Sequence, residues 1–230
     1  MIVAALRPDA AVAKVHWRSE VFPAQWRLAL SSLAEYMSFY TIIPLMYVMH
    51  GAVIAGQLGV TWQLALAVSS IAGAIVLTRF PEFSRLAAAR SVRELDRLLL
   101  STSLISMAIY SLGAVGVGLV VLFLQENHLQ IASRLLPFGA VSILMLGVLI
   151  WHSNLAIASY LRAHGGDPYL PASLTGAAML FAANVTLGRW FGPEGLIWGY
   201  VVTGAFVMMP FGLFLLQRMR RSCGYPPFKV

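Results

Sequence analysis

Glu35 and the polar residues around it are the first candidates for chemistry, because they lie in an apolar part of the chain. A charged group within a membrane costs at least a few kcal/mol, so such groups are functional candidates. Arg27, Ser31, Glu35 and Ser38 follow one another at spacings of four, four and three, which places them on one face of a helix. This face is predicted to line a hydrophilic cavity and to form part of a substrate or ion pathway. The alternative is a carboxylate satisfied locally by Arg27 or a serine, with only a packing role.

His152 is the second candidate, since it lies near the middle of another apolar segment, between Trp151 and Ser153. On a helix it shares a face with Ser159. It is either part of the same pathway or a neutral histidine that hydrogen-bonds to a neighbouring helix. Asn184, in a later apolar segment, is interpreted as an interhelical hydrogen-bonding residue.

The residue types that build enzyme and metal sites are sparse and scattered. Cys223 is the single cysteine, which excludes an internal disulfide and any multi-cysteine metal site. The five histidines form no cluster with ligand spacing; they stand at positions 16, 50, 128, 152 and 164. No glycine-rich phosphate loop, nucleophile elbow or zinc-protease motif is present. The sequence therefore predicts no cofactor, no metal and no enzymatic activity.

The composition places these candidates in a membrane. Of the 230 residues, 59% are hydrophobic and 11% are charged, whereas a soluble domain carries roughly 25% charged residues. The apolar residues come in long blocks, which favours helices in lipid. The net charge of +7 is also compatible with nucleic-acid binding, but membrane topology explains it better. We therefore predict an all-α membrane protein with membrane lipid as its surroundings and no nucleic-acid partner.

Six segments are apolar enough to be predicted as transmembrane helices. They are residues 28–48, 60–77, 98–124, 136–158, 170–187 and 196–216. The fifth is the weakest, because it is short and contains Asn184. These helices are expected to form one lobe over residues 28–217, with a basic cytoplasmic helix at 81–97.

The basic residues predict the orientation of these helices. If six segments cross, fourteen lysines and arginines fall on the side of the two termini, and two, Arg134 and Arg189, fall on the opposite side. This asymmetry predicts that both termini are cytoplasmic. The apolar run at residues 2–6 is too short for a signal peptide. Residues 1–27 and 218–230 are accordingly predicted to be cytoplasmic tails.

Three stretches together resemble a known family. Residues 22–60 contain the step Gln25-Trp26-Arg27, Pro44 and the run AGQLG at 55–59. Residues 78–99 read TRFPEFSRLAAARSVRELDRLL, a proline-containing turn before a basic helix, and the third stretch is ASYLRAHGGDPYLPASL at 158–174 followed by GPEGLIWGY at 192–200. This pattern, over about residues 17–221, resembles the C-terminal half of polysaccharide biosynthesis membrane proteins. These are oligosaccharide-lipid flippases of the multidrug/oligosaccharidyl-lipid/polysaccharide exporter superfamily.

The resemblance implies a function in lipopolysaccharide or capsule synthesis at the bacterial inner membrane. Family members have twelve or more spans in two lobes, and a lipid-linked oligosaccharide passes between the lobes. Six spans match one lobe, so the second lobe is expected from an identical copy or from a separately encoded N-terminal lobe. Arg27 and Arg79 are expected to meet the anionic pyrophosphate of the lipid carrier or to serve as ordinary topology anchors. Arg162 and the Asp167-Pro168 step are expected to shape a cytoplasmic turn.

Two function classes remain open from the sequence. The first is a half-size flippase-like transporter whose lobes rock to alternate access. The second is a truncated, non-transporting membrane scaffold or inactive fragment of such a flippase. The small number of charges within the apolar segments agrees with the second class as well.

Overall fold

A computed structural model describes residues 22–164 and 167–225, and within these ranges the chain forms helices and no strand. We number the α-helices α1 to α8 in chain order. They are α1 Phe22–Tyr40, α2 Ile42–His50, α3 Ala52–Thr78, α4 Phe80–Ala88, α5 Val92–Glu126, α6 Phe138–Arg162, α7 Leu170–Thr203 and α8 Met209–Ser222. A short 3₁₀ helix, Gln130–Arg134, lies between α5 and α6, and a π-helical turn, Gly204–Met208, joins α7 to α8.

Five helical stretches are long and apolar enough to cross a membrane by length and composition. They are Gln25–His50, Ala52–Ala88, Val92–Glu126, Phe138–Arg162 and Leu170–Ser222. The prediction of an all-α, multi-pass membrane protein is therefore confirmed at this level for the described residues. The last stretch has 53 residues and contains both the fifth and the sixth predicted segments.

Gly192 interrupts this last stretch and reverses the direction of the chain. Its φ of 63° and ψ of −144° lie outside the helical region, in backbone space that glycine reaches without steric cost. A Cβ atom added at Gly199 would lie 2.9 Å from the Cβ of Ala183, and one added at Gly188 would lie 4.0 Å from that of Leu196. Because residues at similar distances before and after Gly192 meet, the two arms form an antiparallel helical hairpin.

Helix α6 is the centre of the bundle and packs against α3, α5, α7 and α8. It runs antiparallel to α5, since Tyr110 of α5 donates to the Met145 carbonyl over 2.9 Å, whereas Ser106, one turn earlier on α5, contacts His152, two turns later on α6. One apolar core includes Trp62, Tyr110 and Tyr200, and a second includes Phe83 and Tyr160 nearer to the other end of α6. This packing fixes the face of α6 that carries His152.

The bundle has two distinct ends. At one end, which we call the Gly192 end, His50 Nε2 lies 2.7 Å from the Gly188 carbonyl, and Gln57 donates to the Ser133 carbonyl over 2.8 Å. The opposite end, here the arginine-rich end, holds the α4–α5 and α6–α7 connections and the end of α8. Ten of the twelve arginines in the described ranges lie at or near it; Arg134 and Arg189 lie at the Gly192 end.

Several element boundaries differ from the sequence prediction. Helix α1 begins at Phe22, so the predicted tail boundary at residue 27 falls inside a helix, and residues 218–222 belong to α8. Of the predicted tails, residues 1–21 and 226–230 lie outside the described ranges. The first predicted segment is broken at Thr41 into α1 and α2. Pro44 explains this break, because it lacks the amide hydrogen that would bond to the carbonyl of residue 40.

The single basic helix predicted at 81–97 is wrong, because it is divided between α4 and α5. Arg90 adopts a positive φ of 52° after α4. The Ser91 amide bonds to the Leu86 carbonyl over 3.1 Å, and the Arg90 amide bonds to the Ala87 carbonyl over 3.1 Å. This hydrogen-bond pair is the Schellman motif that ends helices. Residues 92–97 therefore begin the long helix α5.

Candidate functional site

Glu35 joins three helices at the arginine-rich half of the bundle. The Ser173 hydroxyl of α7 donates to its Oε1 over 2.9 Å, and the Nη2 of Arg162, the last residue of α6, lies 3.6 Å from the same oxygen. The Glu35 side chain remains 40% exposed. Its partners thus come from α6 and α7, and not from the Arg27 of its own helix that the local alternative considered.

Arg162 bridges Glu35 to a second carboxylate. Its Nε donates to Asp167 Oδ1 over 3.3 Å, and its Nη2 reaches the Ser31 hydroxyl at 3.5 Å. The Asp167 side chain is fully buried, and its Oδ1 also accepts the Tyr169 amide over 3.2 Å. We call Ser31, Glu35, Arg162, Asp167 and Ser173 the Arg162 cluster. With two carboxylates and one guanidinium, it carries a net charge of −1 when all three groups are ionised.

A cavity of about 240 Å³ extends from this cluster into the bundle. Glu35 of α1, Ser69 of α3 and Arg162 line it, together with His152, Asn154 and Tyr169. Helices α1 and α3 make few direct contacts with each other, so the cavity lies between them with α6 behind it. Ionisable and hydroxyl groups from four parts of the chain therefore face one internal space.

Tyr169 links the cluster to α6 on the cavity wall. Its hydroxyl donates to Asn154 Oδ1 over 3.3 Å, and the Arg162 guanidinium carbon lies 5.9 Å from the centre of its ring. Burial raises the pKa of Tyr169 above its ordinary value, and the charges of Glu35 and Asp167 raise it further, whereas Arg162 lowers it. The neutral phenol is thus the stable form at physiological pH and keeps its hydroxyl as a donor.

His152 lies deeper in the cavity and is held from two sides. Ser69 Oγ of α3 is 3.0 Å from Nδ1, and Ser106 Oγ of α5 is 2.7 Å from Nε2. Ser106 also donates its hydrogen to the Ala72 carbonyl over 2.7 Å. Because a hydroxyl has one hydrogen, Ser106 must accept from Nε2–H, and Nδ1 then accepts from Ser69. A neutral imidazole satisfies this arrangement completely.

The other predicted site residues lie away from the cavity. The buried Ser38 donates to the Ala34 carbonyl of its own helix over 2.8 Å. Arg27 is exposed on α1, and Arg79 lies at the junction of α3 and α4; neither lines the cavity. Ser31, Glu35 and His152 are the predicted residues that the fold brings to the Arg162 cluster or the cavity.

The sequence interpretation missed four polar cavity residues, which are Ser69, Asn154, Arg162 and Tyr169. Arg162 was assigned to a cytoplasmic turn, and it does pair with Asp167 across that turn. Its contacts with Ser31 and Glu35 span more than a hundred residues and had no local signal. The only signal at Ser69 was its position in an apolar segment. Serines that donate to a carbonyl of their own helix, such as Ser70, occupy the same kind of position.

A second ion pair stands apart from the cavity at the arginine-rich end. Arg220 of α8 is buried, and its guanidinium donates from Nη1 and Nη2 to the two oxygens of Asp96 on α5, the latter over 3.0 Å. The Tyr160 hydroxyl of α6 lies 3.2 Å from Arg220 Nη1. Two parallel hydrogen bonds make this a geometrically specific pair, which fastens α8 to α5 across α6.

The described residues contain no group of three or more histidine, cysteine, aspartate or glutamate side chains arranged to hold a metal ion. The cavity instead offers one arginine, one accessible carboxylate and several neutral hydrogen-bonding groups. These groups can hydrogen-bond to water, exchange a proton or bind a small ion. No protein-family model, curated protein or solved structure matches the chain.

Proposed function

We propose that this chain is one lobe of a flippase-type transporter that moves lipid-linked oligosaccharide across the bacterial inner membrane during polysaccharide or lipopolysaccharide synthesis. The observation that carries the proposal is the Arg162 cluster, an ionisable group at the mouth of a cavity within a membrane bundle. Ionisable residues within membrane helices are costly, and they commonly line substrate or ion pathways. The resemblance of residues 17–221 to one flippase lobe supports the same function.

The lobe has six crossings in this proposal. The hairpin at Gly192 divides the last apolar stretch into residues 170–191 and 193–222, which are 22 and 30 residues long. At 1.5 Å per residue each arm is longer than the roughly 30 Å hydrocarbon core. With an even number of crossings, the start of α1 and Cys223 lie on the same side, and the excess of arginine on that side favours a cytoplasmic location.

The small size of the cavity favours a path for the oligosaccharide outside this lobe. Pockets for ordinary small ligands measure roughly 300–1,000 Å³, and the 240 Å³ here falls below this range. The substrate would therefore pass between this lobe and a second lobe, supplied by an identical copy or by a separately encoded partner. The gap between α1 and α3, where the cavity lies, is the face that would meet the substrate path.

Glu35 would couple an ion gradient to movement of the lobe. Its negative charge holds α1 against Arg162 of α6, and Ser173 of α7 shares the contact. Protonation of Glu35 would remove the attraction to Arg162, which would keep its bond to Asp167. Helix α1 would then be free to shift relative to α6 and α7. A rocking motion of this kind is how alternating access is achieved in many transporters.

The test compares Glu35→Gln with Glu82→Gln in a strain whose surface polysaccharide depends on this gene. Glu82 is an exposed carboxylate on α4, so its substitution controls for the change of residue type. We expect Glu35→Gln to lower polysaccharide output strongly, because the neutral amide resembles the protonated carboxyl and cannot alternate between a charged and a neutral form. Glu82→Gln should retain wild-type output at equal membrane abundance.

The outcomes separate the transporter from a scaffold. If deletion of the gene lowers output but Glu35→Gln does not, the chain acts without the Arg162 cluster, as a scaffold would. If deletion leaves output unchanged, the role in polysaccharide synthesis is wrong. Immunoblots of the membrane fraction establish that each variant is present.

A further inference from the structure

A basic surface projects from the bundle where α3, α4 and α5 meet. It consists of Arg79, Arg85, Arg90, Arg93 and Arg97, which we call the α4–α5 basic surface. All but Arg79 are exposed. In the described part of the chain the ion pairs belong to Arg162 and Arg220, so none of these five arginines has a carboxylate partner.

The surface is held in a fixed shape by the packing beneath it. The apolar side of α4 is buried through Phe83 and Leu86, and Leu95 of α5 packs into the same core as these residues. The Schellman turn at Arg90 sets the angle between the two helices. Arg93 and Arg97 stand four residues apart and therefore share one face of α5. The arginines thus form an ordered outer face rather than a loose basic loop.

The charge balance and the depth of this surface indicate its partner. Glu82 and Glu94 are the exposed acidic residues on the same segments, and Asp96 is committed to Arg220. Five arginines against two glutamates leave a charge of +3. About one to two turns beyond Arg97, α5 exposes Leu100, Leu104 and Ile105, which are side chains suited to lipid. The arginines therefore lie at the level where the lipid headgroups begin.

We propose that the α4–α5 basic surface binds the phosphate headgroups of anionic phospholipids. Guanidinium groups donate two parallel hydrogen bonds to a phosphate, and anionic lipids attract arginines close to the bilayer surface. The proposal does not depend on transport, because it concerns the outer face of α4 and α5 and not the cavity. An acidic protein is the alternative occupant, and continuity with the lipid-facing side of α5 favours lipid.

The test uses the full chain in nanodiscs of equal parts phosphatidylglycerol and phosphatidylcholine. The lipids that remain bound are counted by native mass spectrometry. The variant is Arg93→Gln with Arg97→Gln, and the matched control is Arg134→Gln with Arg189→Gln. All four arginines are exposed, and the control pair removes the same charge from the Gly192 end.

We expect the wild type to retain phosphatidylglycerol in preference to phosphatidylcholine. The α5 variant should lose this preference by about fivefold for each arginine at low salt, and the control pair should keep it. Raising the salt concentration should weaken the preference, because the interaction is screened. Equal retention of both lipids by the wild type would overturn the proposal. Unchanged preference in the α5 variant would also overturn it and leave the surface to an acidic protein.

Discussion

Ser106 illustrates how single polar residues are accommodated inside this apolar bundle. Its hydroxyl accepts from His152 and donates to the Ala72 carbonyl, so one small side chain connects α3, α5 and α6. Ser106 is 1% exposed, so water cannot replace a hydrogen bond that is lost there. Interhelical hydrogen bonds in membranes contribute about 0.6 kcal/mol on average and up to about 1.7 kcal/mol.

We predict that Ser106→Ala lowers the free energy of unfolding by about 1 kcal/mol, because the His152 Nε2–H loses its acceptor. Equilibrium unfolding of the purified protein in detergent micelles measures this change. Ser111→Ala is the matched control, since Ser111 is exposed and donates to the Met107 carbonyl of its own helix. A loss in Ser111→Ala as large as that in Ser106→Ala would contradict the assignment of the bond.

At the residue scale the sequence identified side chains more readily than their partners. Glu35 and His152 stood out because polar groups are rare in apolar segments, and both line the cavity. Arg162 gave no such signal. Arginines are common at the ends of membrane helices, where they set the topology, so its position suggested no further role. Its pairing with Glu35 depends on the packing of α1 beside α6 and α7, which one sequence does not encode in any local pattern.

At the scale of elements, the hairpin of α7 depends on the close approach of its two arms. A Cβ atom added at Gly195 would overlap the Leu187 carbonyl oxygen, which belongs to the other arm. In a membrane, small residues allow helices to approach closely and gain packing energy. The arms can therefore meet near the turn only if this position lacks a side chain.

We predict that Gly195→Ala destabilises the protein by about 1–3 kcal/mol, the usual range for overpacking. The thermal midpoint in detergent should fall accordingly. Gly116→Ala on α5 is the control, because a Cβ atom there would meet nothing within 4 Å. Alanine is the better helix former, so the control should be neutral or slightly stabilised. A fall of the same size in Gly116→Ala would contradict the hairpin packing.

Among the elements, the apolar blocks predicted the long helices well, since length and hydropathy alone define a membrane span. The breaks were harder to predict. The turn after α4 places Arg90, not glycine, in the left-handed region, so the usual glycine signal was missing. The basic stretch at 81–97 consequently read as one helix. The break between α1 and α2 lies close to Pro44, which lacks a backbone donor.

At the scale of the whole molecule, the number of crossings decides which side each connection faces. From the end of α5 to Cys223 the proposed topology has three crossings: α6 and the two arms of the hairpin. If residues 170–222 formed a single crossing, there would be two. Glu126 and Cys223 thus lie on opposite sides in the first case and on the same side in the second. The single cysteine of the chain makes this distinction measurable.

We predict that a membrane-impermeant maleimide labels Cys223 in inside-out vesicles and not in intact spheroplasts. In a Cys223→Ser background, Glu126→Cys should show the opposite pattern, because Glu126 is exposed at the Gly192 end. Labelling of both positions from the same side would contradict six crossings. Labelling on opposite sides, but with Cys223 outside, would contradict the orientation set by the arginines.

The reversal at Gly192 also bears on how the chain is integrated during synthesis. The first arm carries Asn184, whose side-chain amide is buried without a hydrogen-bond partner in the described structure, so its prediction as an interhelical hydrogen-bonding residue is wrong. The unpaired amide would cost more if it faced lipid alone. The tip carries Arg189 and Glu194, with no net charge to anchor it on either side. The first arm is therefore poorly suited to partition into the bilayer before the second arm has been made. The two arms of the hairpin should therefore leave the translocon together, after the ribosome has synthesised α8.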